Sequence, residues 1–250
     1  MKVSIITVTL NSELYVADCL ASVKAQKYQN IEHIIIDGGS TDKTISIVNK
    51  FSNIKKVVSE PDKGIYDAMN KGINFATGDI IGFLNSDDLY SNIEVLSSIV
   101  EKFKSDFSLD ACYADLIYVD QLNVSKTIRY FKSTEFKDDL FSKGWCPPHP
   151  TFFVRKSVYE RFGKFDLSYK IASDVDLMMR FLEIHKVKSL YVPNVWVKMR
   201  IGGTTNKSLK NIWLQNKEIL NSFYKNGLSI NPISFFIYKI ISRLKQFFSR

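Results

Sequence analysis

The first 84 residues alternate between short runs rich in β-branched residues and segments with apolar residues at helical spacing. The β-branched runs cover residues 3–10, 31–37, 55–60 and 79–84, and they have the length and composition of strands. Because parallel neighbours need crossover connections, usually helices, this alternation constrains the fold strongly. It predicts an α/β protein with an open, mostly parallel, Rossmann-like sheet flanked by helices.

Polar residues follow each of these four predicted strands. Thr9 and Asn11 follow the first, residues 37–42 the second, residues 60–64 the third and residues 85–88 the fourth. One polar strand end would mean little, because turns are polar anyway. Ligands of open α/β sheets bind beyond the carboxyl ends of the strands. Four polar ends at one edge therefore favour a binding site there.

The segment GDIIGFLNSDDLY (78–90) places Asp87 and Asp88 directly after an apolar run. Adjacent carboxylates repel each other, and burying one unpaired is costly. The residues alone leave two interpretations open. The acids form either a solvated turn that caps a helix beginning near Asn92, or a metal and phosphate site at the edge of the sheet.

The net charge of +8 is concentrated at the C-terminal end of the 250-residue chain. Residues 198–250 contain ten Lys or Arg and one acid, Glu218, so the first 197 residues carry a net charge of −1. An anionic partner is therefore expected for the tail only. The three cysteines are odd in number and widely spaced, which predicts a reducing, cytoplasmic compartment. No apolar stretch is long enough to predict a transmembrane helix.

Residues 233–250 form a basic amphipathic pattern that begins just after Pro232. Its apolar positions recur at helical spacing and are Ile233, Phe236, Ile237, Ile240, Ile241, Leu244, Phe247 and Phe248. Its bases are Lys239, Arg243, Lys245 and Arg250. The pattern predicts a helix that lies on an anionic membrane surface, at the inner face of the plasma membrane. A terminal helix docked on the sheet fits the same stripe.

Two other classes of protein fit the sequence less well. A dinucleotide-dependent oxidoreductase needs a glycine-rich turn after its first strand, and residues 9–14 contain no glycine. A nucleic-acid binding module prefers basic residues interleaved with exposed aromatics across a sheet, whereas the aromatics of the tail lie on one helical stripe. We therefore expect no nucleic-acid partner.

Four segments together resemble the family-2 glycosyltransferases, whose nucleotide-sugar-binding fold is called GT-A. They are Asn11, DGGSTDKT (37–44), GDIIGFLNSDD (78–88) and ASDVDLMMR (172–180). The segment SEPDKGIYDAMNKGI (59–73) is similar to the branch that builds bacterial exopolysaccharide, capsule and O-antigen units. The resemblance implies a single GT-A domain and transfer of a sugar from a nucleotide sugar, with a UDP-sugar as the expected donor.

The resemblance also implies roles for the residues at the strand ends. Asp37 would accept a hydrogen bond from a uracil N–H, and Asn85 would reach the ribose. Asp87 would coordinate the Mn²⁺ or Mg²⁺ that bridges the diphosphate, while Asp88 either supports that site or belongs to the turn. The family usually has Asp where Asn85 stands. Further donor contacts are expected from Thr9, Asn11, Asp62, Lys63, Asn70 and Ser86.

On the acceptor side, Asp174 aligns with the general base of inverting members of the family, and Ser173 stands where Glu is usual. An acid at a helix N-terminus is also favourable on its own. His149 and Trp145 are expected near the diphosphate or the acceptor, and Arg200 in a flexible lid with residues 202–205. The acceptor would be a saccharide, free or linked to undecaprenyl diphosphate.

The expected organisation is a GT-A domain over residues 1–206 followed by a helical basic tail over residues 207–250. Within the domain, residues 1–110 would bind the nucleotide sugar and residues 111–206 the acceptor. The departures at Asn85 and Ser173 leave a second hypothesis open, a catalytically degenerate binding protein with the same fold.

Overall fold

The computed structural model describes residues 1–202 and 208–248. Its strands are β1 (Val3–Thr9), β2 (Ile31–Asp37), β3 (Ile54–Ser59), β4 (Ile80–Phe83), β5 (Leu89–Tyr90), β6 (Ala111–Val119), β7 (Thr127–Phe131), β8 (Phe153–Arg155) and β9 (Ser189–Arg200). Its helices are α1 (Val16–Lys24), α2 (Thr44–Val48), α3 (Ile65–Phe75), α4 (Val95–Ser105), α5 (Lys156–Phe162), α6 (Ser173–Met179), α7 (Leu209–Lys225) and α8 (Pro232–Phe248).

The described strands form one sheet in the order β3-β2-β1-β4-β8-β6-β9-β5, with β7 paired to β6. The strands β3, β2, β1 and β4 run parallel to one another, as the sequence predicts, whereas β8 pairs antiparallel with β4. The chain moves outward from β1 to β3 and then returns to β4 on the other side of β1. The strand order therefore reverses between β1 and β4, and ligands of α/β sheets bind at such a reversal.

Helices cover both faces of this parallel half. Along β1, Ile5 packs in the cluster that contains Cys19 of α1 and Leu96 of α4, whereas Ile6 packs with Met69 of α3. Successive residues of a strand point to opposite faces, so one strand contributes to two cores. The β-branched composition that predicts the strands follows from this two-sided burial.

Three helices differ from the sequence-based expectation. The segment TDKTISIVNKF (41–51) has the pattern of a helix, but its helix begins only at Thr44, because Asp42 accepts hydrogen bonds from the amides of Glu13 at 3.1 Å and Thr44 at 2.9 Å. These contacts hold the preceding residues against the loop after β1. The segment ASDVDLMMRFLEIHK (172–186) has an amphipathic pattern that predicts one α-helix, but after Met179 it continues as a π-helical turn. The seven-residue α5 was not predicted, since it is too short to establish a periodic pattern.

The two C-terminal helices pack against the domain. Ile219 and Phe223 of α7 and Phe235 of α8 lie in the same hydrophobic core as α3 and α6. Helix α8 passes close to Gly144, where an added Cβ atom would lie 3.0 Å from the Cβ of Lys239. The predicted boundary between residues 206 and 207 lies outside the described residues.

Helix α8 is docked along one side only. Its opposite side exposes a row of apolar side chains, defined here as the apolar stripe: Ile233, Phe236, Ile237, Ile240, Ile241 and Leu244. The side chains of Arg243 and of residues 245–250 lie outside the part of the chain that can be described. No helix within the described residues is long and apolar enough to cross a membrane.

Candidate active site

The loop after β4 holds two adjacent acids in different surroundings. Asp87 is partly exposed, whereas Asp88 is fully buried. Asp88 Oδ2 accepts a hydrogen bond from the Asn85 amide at 3.1 Å, but its Oδ1 is buried without a hydrogen-bond partner among the described residues. Burial, and then the charge of Asp87, raise the pKa of Asp88 well above its usual value. A cation at this loop would relieve both effects.

Two more buried oxygens at this edge lack a hydrogen-bond partner within the described chain. They are Thr9 Oγ1, at the end of β1, and Asn85 Oδ1, two residues after β4. Because β1 and β4 are neighbouring parallel strands, these atoms lie at the ends of adjacent strands. Buried polar atoms without partners are rare in folded proteins. Here they lie where the strand order reverses, which is where a ligand is expected.

The side chains at this edge suit a hard divalent cation only when a ligand adds oxygens. No group of three or more His, Cys, Asp or Glu side chains in the described ranges is arranged to hold a metal ion. Mg²⁺ at phosphate-processing sites is usually held by one or two carboxylates together with the substrate phosphates. Asp87 and Asp88 meet this smaller requirement.

Arg200, at the end of β9, is buried and fixes the loop after β4, residues 84–88, which we call the acid loop. Its Nη1 donates to the Asp87 carbonyl oxygen at 2.7 Å, and its Nη2 donates to the Asp18 carboxylate at 2.5 Å. These contacts hold the backbone of the loop against β9 and α1. Of the lid expected over residues 202–205, only residue 202 is described. Contact between Arg200 and a diphosphate stays a prediction.

Hydrogen bonds join the loops after β1, β2 and β4 to one another. The hydroxyls of Ser12 and Ser86 are 2.9 Å apart, which links the first loop to the acid loop. Asn11 has a left-handed φ of 48° and links the first loop to the second. Its side-chain Oδ1 accepts from the backbone amide of Thr41 at 2.9 Å, and its own backbone amide donates to Ser40 Oγ at 2.8 Å. Three of the predicted polar ends are thus held together.

Asp37 is fully buried and accepts four hydrogen bonds from its own surroundings. Its Oδ2 accepts from the amides of Gly39 and Ser40 and from the Ser59 hydroxyl, while its Oδ1 accepts from the Ser40 hydroxyl. A carboxylate offers about four lone-pair sites, two on each oxygen. Only Oδ1 retains room for a further donor, so the uracil contact stays a prediction.

Gly38 makes space for Asp62. A Cβ atom at position 38 would lie 2.5 Å from Asp62 Oδ2, closer than real Cβ contacts allow. Asp62 Oδ1 accepts from the Gly64 amide at 2.8 Å, which fixes the other end of the carboxylate. The structure therefore brings Asp62 beside the loop after β2, where the sequence predicts a donor contact.

Two other predicted donor residues make contacts of a different kind. The Asn70 side chain pairs with the backbone of Phe165, donating to its carbonyl at 2.9 Å and accepting from its amide at 3.0 Å. Asn70 thus ties α3 to the segment that precedes α6. Lys63 is exposed, and its amide donates to Asp67 Oδ2 at 3.0 Å. Donor contacts by Asn70 and Lys63 stay predictions.

A cavity of about 250 Å³ lies beside β6 and brings together the three residues predicted on the acceptor side. Asp174, His149 and Trp145 all line it, with α7 contributing Gln215 and α8 contributing Lys239. The predicted base therefore lines a cavity whose wall is mostly apolar, with His149, Gln215 and Lys239 as further polar groups. The C-terminal helices form part of the cavity wall.

Asp174 is oriented by a residue that sequence reasoning missed. The hydroxyl of Tyr66, on α3, donates to Asp174 Oδ1 at 3.0 Å. Burial and the adjacent charge of Asp174 raise the pKa of this hydroxyl well above its usual value, so it remains a donor at neutral pH. Tyr66 lies inside the segment 59–73 that carries part of the family resemblance, which was the only signal available.

The two other lining residues are held by aromatic contacts. The His149 ring lies 5.3 Å from that of Phe83 and 5.6 Å from that of Phe165. Burial lowers the pKa of His149, partly offset by the charge of Asp174, so the imidazole is neutral at pH 7. Trp145 packs edge-on to Tyr113 at 5.9 Å, and its Nε1 is buried without a hydrogen-bond partner in the described residues.

Comparison with known proteins agrees with this architecture. Residues 4–163 match the family model described as glycosyl transferase family 2. The chain belongs to glycosyltransferase family 2. It is 32% identical over 181 residues to a PGL/p-HBAD biosynthesis glycosyltransferase of Mycobacterium tuberculosis, covering 71% of this chain and 68% of that protein. It is 30% identical over 220 residues to an uncharacterized glycosyltransferase of Rickettsia typhi, covering 84% and 68%.

Solved structures share the fold of this family-2 glycosyltransferase. Staphylococcus aureus TarS 1–349 in complex with UDP-GlcNAc superposes with a TM-score of 0.68 at 18% identity, covering 97% of this chain and 72% of that one. The mannosyltransferase PcManGT from Pyrobaculum calidifontis, in complex with GDP-Man and Mn²⁺, has a TM-score of 0.66 at 19% identity, covering 98% and 69%. The chain spans 40% of the longer TarS chain. These similarities confirm the predicted GT-A fold.

Proposed function

We propose that this family-2 glycosyltransferase moves a sugar from a UDP-sugar to a saccharide acceptor, with inversion at the anomeric carbon. The observation that carries the proposal is the pairing of two features at one edge of the sheet. The acid loop, in which one buried oxygen of Asp88 has no hydrogen-bond partner in the described part of the chain, lies at the strand reversal. Phe83, which ends β4 before that loop, contacts the ring of His149 in the cavity that Asp174 lines.

The donor is proposed to lie across the carboxyl ends of β1, β2 and β4. Asp37 and Asp62 would receive the base, and Thr9, Asn11 and Asn85 the nucleoside. The structures with similar folds support a nucleotide diphosphate donor, since TarS is bound to UDP or UDP-GlcNAc and PcManGT to GDP-Man. A donor screen with several nucleotide sugars identifies which sugar is donated.

Asp87, with Asp88 beside it, is proposed to hold Mn²⁺ or Mg²⁺ together with the diphosphate oxygens. When bound, such a cation supplies positive charge that stabilises the departing diphosphate. The binding of Mn²⁺ in PcManGT supports this choice of metal. The contacts of Arg200 and of the Ser12–Ser86 pair keep the acid loop in one place before any ligand arrives.

The chemical step is proposed to be a single displacement with Asp174 as the general base. The acceptor hydroxyl oxygen attacks the anomeric carbon as its proton passes to the Asp174 carboxylate. The bond between the anomeric carbon and the diphosphate oxygen breaks, and its electron pair leaves with UDP. Tyr66 holds Oδ1 of the base, which leaves Oδ2 for the acceptor proton.

The acceptor is proposed to be a saccharide linked to a lipid diphosphate at the cytoplasmic face of the membrane, in the synthesis of a bacterial surface polysaccharide. Two features support this. Helix α8 contributes Lys239 to the wall of the Asp174 cavity and exposes the apolar stripe on its other side. The basic tail adds attraction to anionic lipid. Peripheral association would thus bring a lipid-bound acceptor to the cavity.

A donor screen tests the proposed function. UDP-GlcNAc, UDP-glucose, UDP-galactose and GDP-mannose are incubated with the purified protein and a panel of aryl glycosides, with and without Mn²⁺, and nucleotide release is measured. We expect one UDP-sugar to be consumed faster in Mn²⁺, and Asp174→Asn to lose at least 100-fold in rate while its donor affinity is kept. Binding without turnover in the wild type would instead favour the degenerate binding protein.

A further inference from the structure

Helix α7 contacts the segment that carries Asp174 through a row of polar residues. Glu218 and Ser222 are four residues apart and lie on one face of α7, and Asn226, the C-cap residue of this helix, follows four residues later. This face meets residues 170–176, which include the start of α6. We call Glu218, Ser222 and Asn226 the α7 polar row.

Glu218 binds the backbone that leads into α6. Its Oε1 accepts from the Lys170 amide at 2.9 Å, and its Oε2 accepts from the amides of Ile171 at 2.9 Å and Ala172 at 3.0 Å. The side chain is buried, with 7% of its surface exposed. A buried carboxylate is tolerated only when such donors replace its hydration, and charge-assisted hydrogen bonds are the stronger kind.

The other two members of the row bind one turn further along. Asp176 is buried, and its Oδ1 accepts from Ser222 Oγ at 2.6 Å and from Asn226 Nδ2 at 3.1 Å. Its Oδ2 accepts from Arg180 Nε at 2.8 Å. The α7 polar row therefore holds residues on both sides of Asp174, namely residues 170–172 before it and Asp176 after it.

The geometry of a helix then determines where Asp174 points. Residue 176, whose side chain α7 holds, lies two positions after residue 174 and therefore roughly 200° around the helix from it. The face held by α7 is thus nearly opposite to the face that carries Asp174. This agrees with the contacts, since Asp174 receives the Tyr66 hydroxyl and lines the acceptor cavity.

We infer that Glu218 is a positioning residue for the base Asp174. This inference rests on the proposed function of Asp174. Glu218 fixes the amides of residues 170–172, and through them the start and orientation of α6. The described wall of the acceptor cavity includes Gln215 and Ile219 of α7 but not Glu218, which lines a groove with Tyr169. Glu218 therefore acts through the backbone and does not contact the acceptor.

The inference gives a catalytic role to a region outside the part of the chain that matches the family model. That match ends at residue 163, before both Asp174 and Glu218. Glu218 is the single acid among the basic residues of the tail. The sequence alone offers no partner for it, whereas the structure assigns three backbone amides.

The test compares Glu218→Gln with Glu101→Gln, a matched change at an exposed position of α4. In Glu218→Gln the side-chain amide replaces one acceptor oxygen by a donor, so at least one backbone amide loses its partner. We expect kcat for nucleotide release to fall ten- to 100-fold, with the donor KM within twofold of the wild type. Glu101→Gln should leave both constants unchanged. A full-rate Glu218→Gln protein overturns the inference.

A double-mutant cycle separates positioning from general weakening of the fold. In the Asp174→Asn background, Glu218→Gln should cause no further loss of the residual rate, because its effect passes through the base. Independent losses that multiply would contradict the inference. Ser222→Ala provides a milder change to the same row, with an expected loss of about threefold, if Glu218→Gln fails to fold. Failure of the proposed function would differ, since Asp174→Asn alone would then keep its rate.

Discussion

The Tyr66 hydroxyl donates to Oδ1 of Asp174 at 3.0 Å, which joins two residues 108 positions apart in the chain. Tyr66 lies in the first turn of α3, and Asp174 lies in the first turn of α6. The contact therefore links the helix after β3 to the cavity that Asp174 lines. In the proposed mechanism it leaves the other carboxylate oxygen of Asp174 for the acceptor.

Tyr66→Phe should lower kcat about tenfold with little change in the donor KM. The variant keeps the ring packed on Phe165, with centroids 5.5 Å apart, and removes only the hydroxyl. The base then loses one orienting hydrogen bond, and bonds to charged groups contribute about 1.5–3 kcal/mol. Steady-state kinetics of nucleotide release measure the effect.

Tyr130→Phe is the matched control for this prediction. Tyr130 donates to the buried carboxylate of Asp115 at 2.7 Å, and neither residue lines the cavity of Asp174. It should reduce stability and leave kcat unchanged. Equal losses of kcat in the two variants would show that Tyr66 has no special relation to the base.

Gly38→Ala should raise the donor KM about tenfold with little change in kcat. The new methyl group would lie 2.5 Å from Asp62 Oδ2, so the Asp62 side chain must move away. Because a flexible side chain yields and Gly38 has no left-handed φ, the free energy of unfolding should change by less than about 1 kcal/mol. Isothermal titration with UDP reports the loss of affinity directly.

A second variant identifies Asp62 as the cause. In an Asp62→Ala background, Gly38→Ala should produce no further loss of UDP affinity, because nothing remains to be displaced. A further tenfold loss would mean that the loop after β2 itself had been distorted. The proposed donor contact of Asp62 would then lack support.

Replacing Ile237 and Ile240 by Glu should release the protein from anionic vesicles. Both side chains are more than half exposed on the apolar stripe, at 52% and 61%. Each change removes apolar area and adds a charge that anionic lipid repels, so the partition coefficient should fall at least tenfold. Sedimentation with phosphatidylglycerol vesicles, compared with phosphatidylcholine vesicles, measures it.

Leu122→Glu controls for a general change in surface charge. Leu122 is 88% exposed, in the loop that connects β6 and β7 and away from α8 in the sequence. It should leave vesicle binding within twofold of the wild type. If the wild-type protein binds neither kind of vesicle, the proposed membrane association is overturned, whereas the proposed donor chemistry is not affected.

Acid should destabilise the fold, beginning near pH 6.5. Burial lowers the pKa of His33 from 6.5 to about 3, so the folded protein keeps this imidazole neutral while the unfolded chain takes up a proton. The stability is therefore full above pH 6.5 and falls as the pH drops toward 3. Glu32, whose pKa is lowered to about 2 by hydrogen bonds from Lys2, Ser4 and Thr77 that outweigh its burial, adds a second loss below about pH 4.5.

Urea unfolding at a series of pH values tests this prediction. One proton corresponds to about 1.4 kcal/mol per pH unit, and His149 and His185 act in the same direction because burial lowers their pKa values too. His33→Gln should reduce the slope between pH 6 and 5 by about one proton. An unchanged slope would mean that His33 does not contribute.

The parallel half of the fold could be predicted because its signal is local. The strands β1, β2 and β4 are buried on both faces, so burial shows directly as β-branched composition, whereas β3 is largely exposed. The polar strand ends could be predicted too, because each directly follows one of these runs in the sequence. The second half was harder, since a helix as short as α5 shows no recognisable period.

The acid pair of residues 87 and 88 could be found in the sequence, but its environment could not. Asp88 is buried with one oxygen that has no partner among the described residues, and Arg200, 113 residues after Asp87, holds the loop by the Asp87 carbonyl. The contact of Tyr66 with Asp174, and that of Glu218 with the segment before Asp174, were likewise not visible in the sequence. The sequence does not indicate which distant groups a tyrosine on one helix or a glutamate on another contacts.

By itself the sequence determined the alternating strands and helices, the polar strand ends and the family, because these depend on the order of residue types along the chain. Only the tertiary structure decided which side chains orient the base, what fixes the acid loop and which face of α8 remains exposed. Those outcomes depend on contacts between residues far apart in the chain, and such contacts exist only once the core has packed.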